Sequence, residues 1–300
     1  IVHITNGALG RRLTSIECCL LLDEAATVVV AGNIRRSAGM RQFTSTDKIA
    51  ASAKDNLWQQ DGDGNWRIDP ERDALRMANH TRVYHTKPSR QEVLDAVTKQ
   101  FYSGEGAIQF APEAIARSNR DLLNTENKRR KFIELYCNEG RDIATAYLTL
   151  QDETNQPMDA QERRHRMNRY GLNPCGEILG TDFHCNLSEI HLNTLDPNNF
   201  EEQALAFKAG ALAAGALLHH RFNVPRYQES RELDPIVGVS FTGLFDFFVH
   251  AFGADWLQWF AAGRPDTNEG KAFKKTEASY LMRWRKVVET TLAEYCAMHD

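Results

Sequence analysis

The residues best suited to chemistry lie in the run Asn173-Pro174-Cys175-Gly176-Glu177. Proline and glycine on either side of the cysteine disfavour regular structure, so the thiol is expected on a tight loop. In an extended loop, side chains two apart share a face. Asn173, Cys175 and Glu177 would then converge as an amide, a thiol and a carboxylate. That set fits reaction on a hydroxylated substrate, with the carboxylate as base and the amide as a hydrogen-bond partner. The alternative is a buried structural cysteine beside a turn, because free cysteine is among the most buried residue types. The polar neighbours and a second cysteine, Cys185, weigh against that alternative, but residue chemistry alone leaves both open.

The six cysteines stand at 18, 19, 137, 175, 185 and 296. No C-x-x-C pair occurs, so a zinc ribbon has no support and no metal site is expected. The acidic run Asp61-Gly62-Asp63-Gly64-Asn65 is closest to a calcium loop, but its sixth position is Trp66 and its twelfth Arg72. Glycine and glutamate are needed there, and a surface turn is the expectation. Without a dense cysteine framework, a reducing cytoplasm is the expected location, with any important cysteine reactive.

The chain of 300 residues has 42% hydrophobic and 25% charged residues and a formal charge of −4, the balance of a globular protein. It has no basic field to hold nucleic acid, although a nucleotide needs only a few local donors. The apolar run Ala204–Leu218 is too short for a membrane span and is broken by Lys208, so no membrane partner is expected. The sequence begins at Ile1, as expected of an internal piece of a longer reading frame.

The elements around the cysteine loop follow from patterning. Thr14 to Val30 reads as a largely buried helix that stops at Gly32-Asn33, with Cys18 and Cys19 in its core. A short basic loop, Ile34-Arg35-Arg36-Ser37, then leads to a strand at Met40 to Phe43. Ser89 to Tyr102 is an amphipathic helix opened by Ser89 and Glu92, a capping-box spacing. Ala107 to Phe110 is a short strand, and Pro112 opens the next helix. Residues 122–167 are charged and read as a surface insertion, ending in Arg163-Arg164-His165-Arg166, a solvated basic face. Glu202 to His220 is a helix, Ile236 to Phe241 a strand, Leu244 to Phe252 an aromatic run, and Ala272 to Met298 a long amphipathic helix. The alternation predicts an α/β architecture.

NPCGEI at 173–178, followed by CNLSEI at 185–190, resembles the finger-loop motif of the ribonucleotide reductase catalytic chain. AGNIRRSA at 31–38 resembles that family's specificity loop, which links effector to substrate base. GEGAIQFAPEA at 104–114 and DPIVGVSFTGLFDFF at 234–248 resemble strand–helix units of its barrel. The resemblance runs in order through most of the chain. It implies part of a ten-stranded α/β barrel over residues 1–300, with a central finger loop at 171–190.

What the resemblance implies for single residues is specific. Cys175 matches the cysteine that becomes a thiyl radical and removes the ribose 3′ hydrogen, at a site that excludes water. Glu177 matches the carboxylate that takes the 3′-hydroxyl proton as the 2′-hydroxyl leaves as water, and Asn173 the amide that holds the hydroxyls. Cys185 matches one half of the redox-active dithiol, whose partner lies upstream of this chain. Asn33, Ile34, Arg35, Arg36 and Ser37 match the effector and substrate specificity loop. Cys137 and Cys296 match no role.

Glu177 speaks against the glycyl-radical class. The form of NPCGEI and GNIRRSA resembles the monomeric, adenosylcobalamin-dependent triphosphate reductases. This implies adenosylcobalamin as cofactor, ribonucleotide as substrate, a deoxynucleoside triphosphate as allosteric effector and a dithiol or thioredoxin-like protein as reductant. Asp182-x-His184 falls short of a D-x-H-x-x-G cobalamin motif, which that class lacks. A piece of the enzyme is expected to be inactive alone. The alternatives are the large subunit of a di-iron diphosphate reductase and a non-catalytic nucleotide-binding relative.

Overall fold

The computed structural model describes residues 1–27, 39–103, 106–154, 157–183 and 186–299. The specificity-loop residues Asn33, Ile34, Arg35, Arg36 and Ser37, and also Cys185, lie outside the described residues. The chain divides into two compact units, Ile1–Thr181 and Asp182–Asp300.

In the first unit, helices α1 (Val2–Gly7) and α2 (Ser15–Thr27) precede strand β1 (Gly39–Thr44). Helix α3 (Lys48–Ser52) and the hairpin β2 (Trp58–Gln60) and β3 (Trp66–Ile68) follow, then strand β4 (Ala78–Tyr84). The turn at 61–65 joins β2 to β3, its Asp61 amide bonded to the Asn65 carbonyl at 2.9 Å, as expected. Helix α4 (Arg90–Ser103) leads to β5 (Ala107–Phe110) and α5 (Ala111–Ser118). The three strands form one parallel sheet in the order β1-β4-β5, with Gly39 opposite Ala78 and Thr81 opposite Ala107. Parallel neighbours need crossover connections, and the intervening helices and loops supply them.

Local signals account for several boundaries. The Ser89 amide donates to the Glu92 carboxylate at 2.8 Å and the Glu92 amide to the Ser89 hydroxyl at 3.2 Å, the reciprocal capping box. Pro112 sits in the first turn of α5, where a missing N–H costs nothing.

The stretch 122–167 folds into α6 (Glu126–Asn138), α7 (Arg141–Thr149) and α8 (Ala160–Met167). Leu123, Phe132, Leu148 and Met167 close a buried core with Ile115 of α5. The basic run there is not simply a solvated face. Arg166 is mostly buried and bonds Asp121 at 2.7 Å and Glu162 at 2.8 Å. Its helix lies against α5, so this side chain points inward to the Asn119 carboxamide at 3.2 Å.

Helix α2 is also less buried than its composition implies. Ile16, Cys19, Leu20 and Asp23 follow the i, i+3, i+4, i+7 stripe and face inward. Cys18 lies on the outer arc and is exposed, contrary to the core placement expected for it. Cys19 is half-buried against the cluster around Leu75.

The first unit ends with β6 (Gly171–Leu172) and β7 (Leu179–Gly180), an antiparallel hairpin. The second unit holds β8 (Asn186–His191), α9 (Phe200–Ala216), α10 (Pro225–Leu233), β9 (Val237–Thr242), α11 (Leu244–Phe252), α12 (Ala254–Ala261) and the long α13 (Asn268–His299). Strands β8 and β9 are parallel, with Ser188 opposite Val239. An aromatic core joins Phe207, Phe247, Trp256 and Trp284, with Phe207 and Trp284 stacked at 5.1 Å. Gly243 turns the chain from β9 into α11 at φ 74°, where an added Cβ would meet Asn193 at 3.0 Å.

Both units are thus α/β, and the sheets are open among the described residues. None of the described helices is long and apolar enough to cross a membrane.

Candidate active site

The hairpin of β6 and β7 presents Asn173 to Ile178 as its loop. The loop is a tight turn: the Gly176 amide donates to the Asn173 carbonyl at 2.9 Å, and Gly176 has φ +77°. Glycine takes that left-handed conformation without the strain that a Cβ would bring. Cys175 stands on the turn, as expected, and is exposed.

The turn brings two of the three polar side chains together. The backbone is folded and not extended, so the alternation of faces does not apply. Asn173 and Glu177 meet across the turn instead. The Asn173 Nδ2 donates to Glu177 Oε1 at 2.6 Å, while its Oδ1 accepts the amides of Glu177 and Ile178, each at 3.1 Å. The amide thus holds both the carboxylate and the returning backbone. The extended loop expected to bring all three side chains together is thus replaced by a turn that joins Asn173 to Glu177.

The hairpin lies on one face of the parallel sheet. Gln42 of β1 donates to the Tyr170 carbonyl at 3.1 Å and accepts the Leu172 amide at 2.8 Å. Gln109 of β5 donates to the same carbonyl at 2.9 Å. Asn79 of β4 donates to the Pro174 carbonyl at 2.6 Å, one residue before the thiol. By strand alternation, Met40, Gln42, Asn79, Thr81, Ala107 and Gln109 share this face. A cleft of about 390 Å³ opens there, lined by Cys175, Gly176, Asn79, Thr81, Met40 and Ala107 among others. That volume is in the range of small-ligand sites.

The opposite face carries a buried polar cluster. Asp23 of α2 is fully buried and bonded by Arg41 of β1 at 2.5 Å. Burial pushes its carboxyl up, against the lowering effect of that guanidinium. His80 of β4 is also buried, and desolvation, with Lys54 and Arg41 nearby, holds its imidazole down to about 3. It is therefore neutral at physiological pH.

Water exclusion is not provided by the described residues. Cys175 and Glu177 are both exposed, since the sheet covers the hairpin from one side only. At about 390 Å³ the cleft is smaller than a corrin with its nucleotide tail, so it does not enclose a cobalamin. None of the described groups of histidine, cysteine and carboxylate residues could hold a metal ion.

Sequence patterning did not single out Gln42, Gln109 or Asn79. A signal was present in Ala107-Ile108-Gln109-Phe110, where one amide interrupts a short apolar strand. A polar side chain in such a position must find partners.

No protein-family model matches the chain, and no solved structure matches it. Among curated proteins it is similar to an adenosylcobalamin-dependent ribonucleoside-triphosphate reductase of Levilactobacillus brevis, at 26% identity over 277 residues. The match covers 91% of this chain and 30% of that enzyme. The likeness supports a relationship to the ribonucleotide reductases.

Proposed function

We propose that this chain is the part of a ribonucleotide reductase that carries the radical cysteine, Cys175. The observation that carries the reading is the turn itself: a thiol at the rim of a nucleotide-sized cleft, beside a carboxylate held by an amide. In this reading the Cys175 thiyl removes the ribose 3′ hydrogen and Glu177 takes the 3′-hydroxyl proton. The 2′-hydroxyl leaves as water. A dithiol containing Cys185 supplies two electrons and becomes a disulfide, so ribonucleotide and dithiol yield deoxyribonucleotide, water and disulfide.

The pairing of Asn173 and Glu177 supports the base role. Oriented on one short turn, both groups meet a single ribose without further search, and such positioning can account for much of the rate. A barrel completed by the remainder of the protein would enclose the thiol, and exclusion of water is what a thiyl radical requires.

The similarity to an adenosylcobalamin-dependent enzyme favours that cofactor as the radical source and a triphosphate as substrate. When bound, that cofactor would supply the abstraction of a hydrogen atom from a thiol. The specificity-loop assignment of Arg35 and Arg36 belongs to the same proposal, with a deoxynucleoside triphosphate as effector and a thioredoxin-like protein as reductant.

The test uses the complete protein, anaerobically, with ribonucleoside triphosphates, a dithiol and a deoxynucleotide effector, with and without adenosylcobalamin. Deoxynucleotide formed only with the cofactor supports the reading. Cys175→Ser should abolish product while ribonucleotide binding persists by calorimetry; turnover in that variant would remove the radical role. Product only after addition of a metal-radical subunit would favour the di-iron class.

A further inference from the structure

Two glutamines stand on the outer strands of the parallel sheet, Gln42 on β1 and Gln109 on β5, and their side chains meet over the central strand β4. The Gln42 Nε2 donates to Gln109 Oε1 at 2.6 Å. The rest of their bonding has a recognisable pattern. Gln42 accepts the Leu172 amide and donates to the Tyr170 carbonyl. Those are the two bonds that a residue of a neighbouring strand makes to the residues flanking its partner. Its carboxamide thus takes the place of a peptide group and docks β6 on the sheet. Gln109 adds a second donor to the Tyr170 carbonyl.

Strand β6 needs such a dock. Its hairpin with β7 has only two paired positions, Gly171 with Gly180 and Leu172 with Leu179. A hairpin this short is not stable by itself. Close approach is enforced at Gly171, where an added Cβ would lie 2.5 Å from the Gly180 carbonyl oxygen. At the far end, Asn79 bonds the Pro174 carbonyl and fixes the tip. Apolar side chains could cover the same sheet face, but the hydrogen bonds from Gln42 fix which residues of so short a strand face it.

We infer that Gln42, Gln109 and Asn79 form an amide cradle that positions the Cys175 turn over the cleft. These are positioning residues: Gln42 and Gln109 act through the backbone of residues 170–172, and Asn79 through Pro174. The inference rests on the reading of Cys175 as the reacting group for its effect on turnover, but not for its effect on the turn.

The experiment compares Gln42→Met and Asn79→Ala with the unsubstituted complete protein. Two quantities are read: the rate of maleimide addition to each cysteine by mass spectrometry, and kcat and KM for ribonucleotide reduction. A displacement near 1 Å costs on the order of 100-fold in rate. Each variant should therefore lower kcat by about 10- to 100-fold with KM within about twofold. Maleimide addition at Cys175 should change severalfold while that at exposed Cys18 and half-buried Cys137 does not. Gln42 does not line the cleft, so a fall in its kcat cannot come from lost substrate contact. Where Gln42→Met fails to fold, seen as fast addition at Cys137, Asn79→Leu carries the test, since it keeps the volume and removes the donor without adding a charge. Unchanged Cys175 addition in the folded variants overturns the cradle. So does a rise in KM at constant kcat, which would make Asn79 a substrate ligand. Absence of reduction by the unsubstituted protein would defeat the functional reading alone, and the addition rates would still decide the cradle.

Discussion

Asn173 holds Glu177 from two sides. Its Nδ2 donates to the carboxylate at 2.6 Å, and its Oδ1 accepts the Glu177 backbone amide at 3.1 Å. One side chain therefore orients the candidate base and closes the turn that bears the thiol. Asn173→Asp keeps the acceptor and replaces the donor with a second negative charge beside Glu177. Reduction should fall by at least about 10²-fold, the range of a misplaced base. Glu177→Gln, which keeps the shape but not the basicity, should lower kcat by about 10²- to 10⁴-fold with KM little changed. Steady-state kinetics on both variants check this, and full activity in Glu177→Gln would exclude the base role.

Gly176 is a backbone requirement and not a chemical one. At φ +77° an alanine would be strained by about 1 kcal/mol, though no atom lies near its Cβ. Gly176→Ala should lower the melting temperature by no more than about 2–4 °C, the cost of that strain. It should lower reduction by shifting Cys175. Equal activity in the variant would mean that the turn is not held in this conformation during catalysis.

The buried imidazole of His80 makes a pH prediction. Its protonation is displaced from the ordinary 6.5 down to about 3 by burial and by the nearby cations. The folded chain thus favours the neutral ring. This contribution to stability is complete above 6.5, where both states are neutral, and is lost as pH falls towards 3, because only the unfolded chain takes up the proton. Thermal melts should show stability declining through that window, and His80→Phe should flatten the decline. A slope unaltered by the substitution would remove His80 as its source.

In the second unit, Trp284 is buried and its indole donates to Gln203 Oε1 at 3.0 Å, while its ring stacks on Phe207. Trp284→Phe removes the donor and leaves a buried carboxamide oxygen unpaired. The loss should be about 1–3 kcal/mol, read by chemical denaturation. Trp284→Ala should cost about 3–5 kcal/mol, because it also leaves a cavity. Costs under about 0.5 kcal/mol for both would show that this core relaxes freely.

The sequence by itself determined the local features. Pro174 and Gly176 dictate a turn at the cysteine, Ser89 and Glu92 cap α4, and Pro112 opens α5, because each depends on a few neighbouring residues and on backbone sterics. The strands expected at 40–43, 107–110 and 236–241 fall within one residue of those observed. The motif order also made the family resemblance visible. Tertiary structure alone decided the rest. Cys18 lies outside and Asp23 inside because burial of a helix follows its neighbours, and composition does not show which arc they cover. Arg166 stands in a basic run expected to be solvated, yet it turns inward to Asp121 and Asn119, brought near by the packing of α8 on α5. The dock of the thiol turn joins Gln42, Gln109 and Asn79 to residues 170–174, separated by between 61 and 130 positions. No local pattern encodes such bonds, since they exist only once three parallel strands have set the glutamines over a common face.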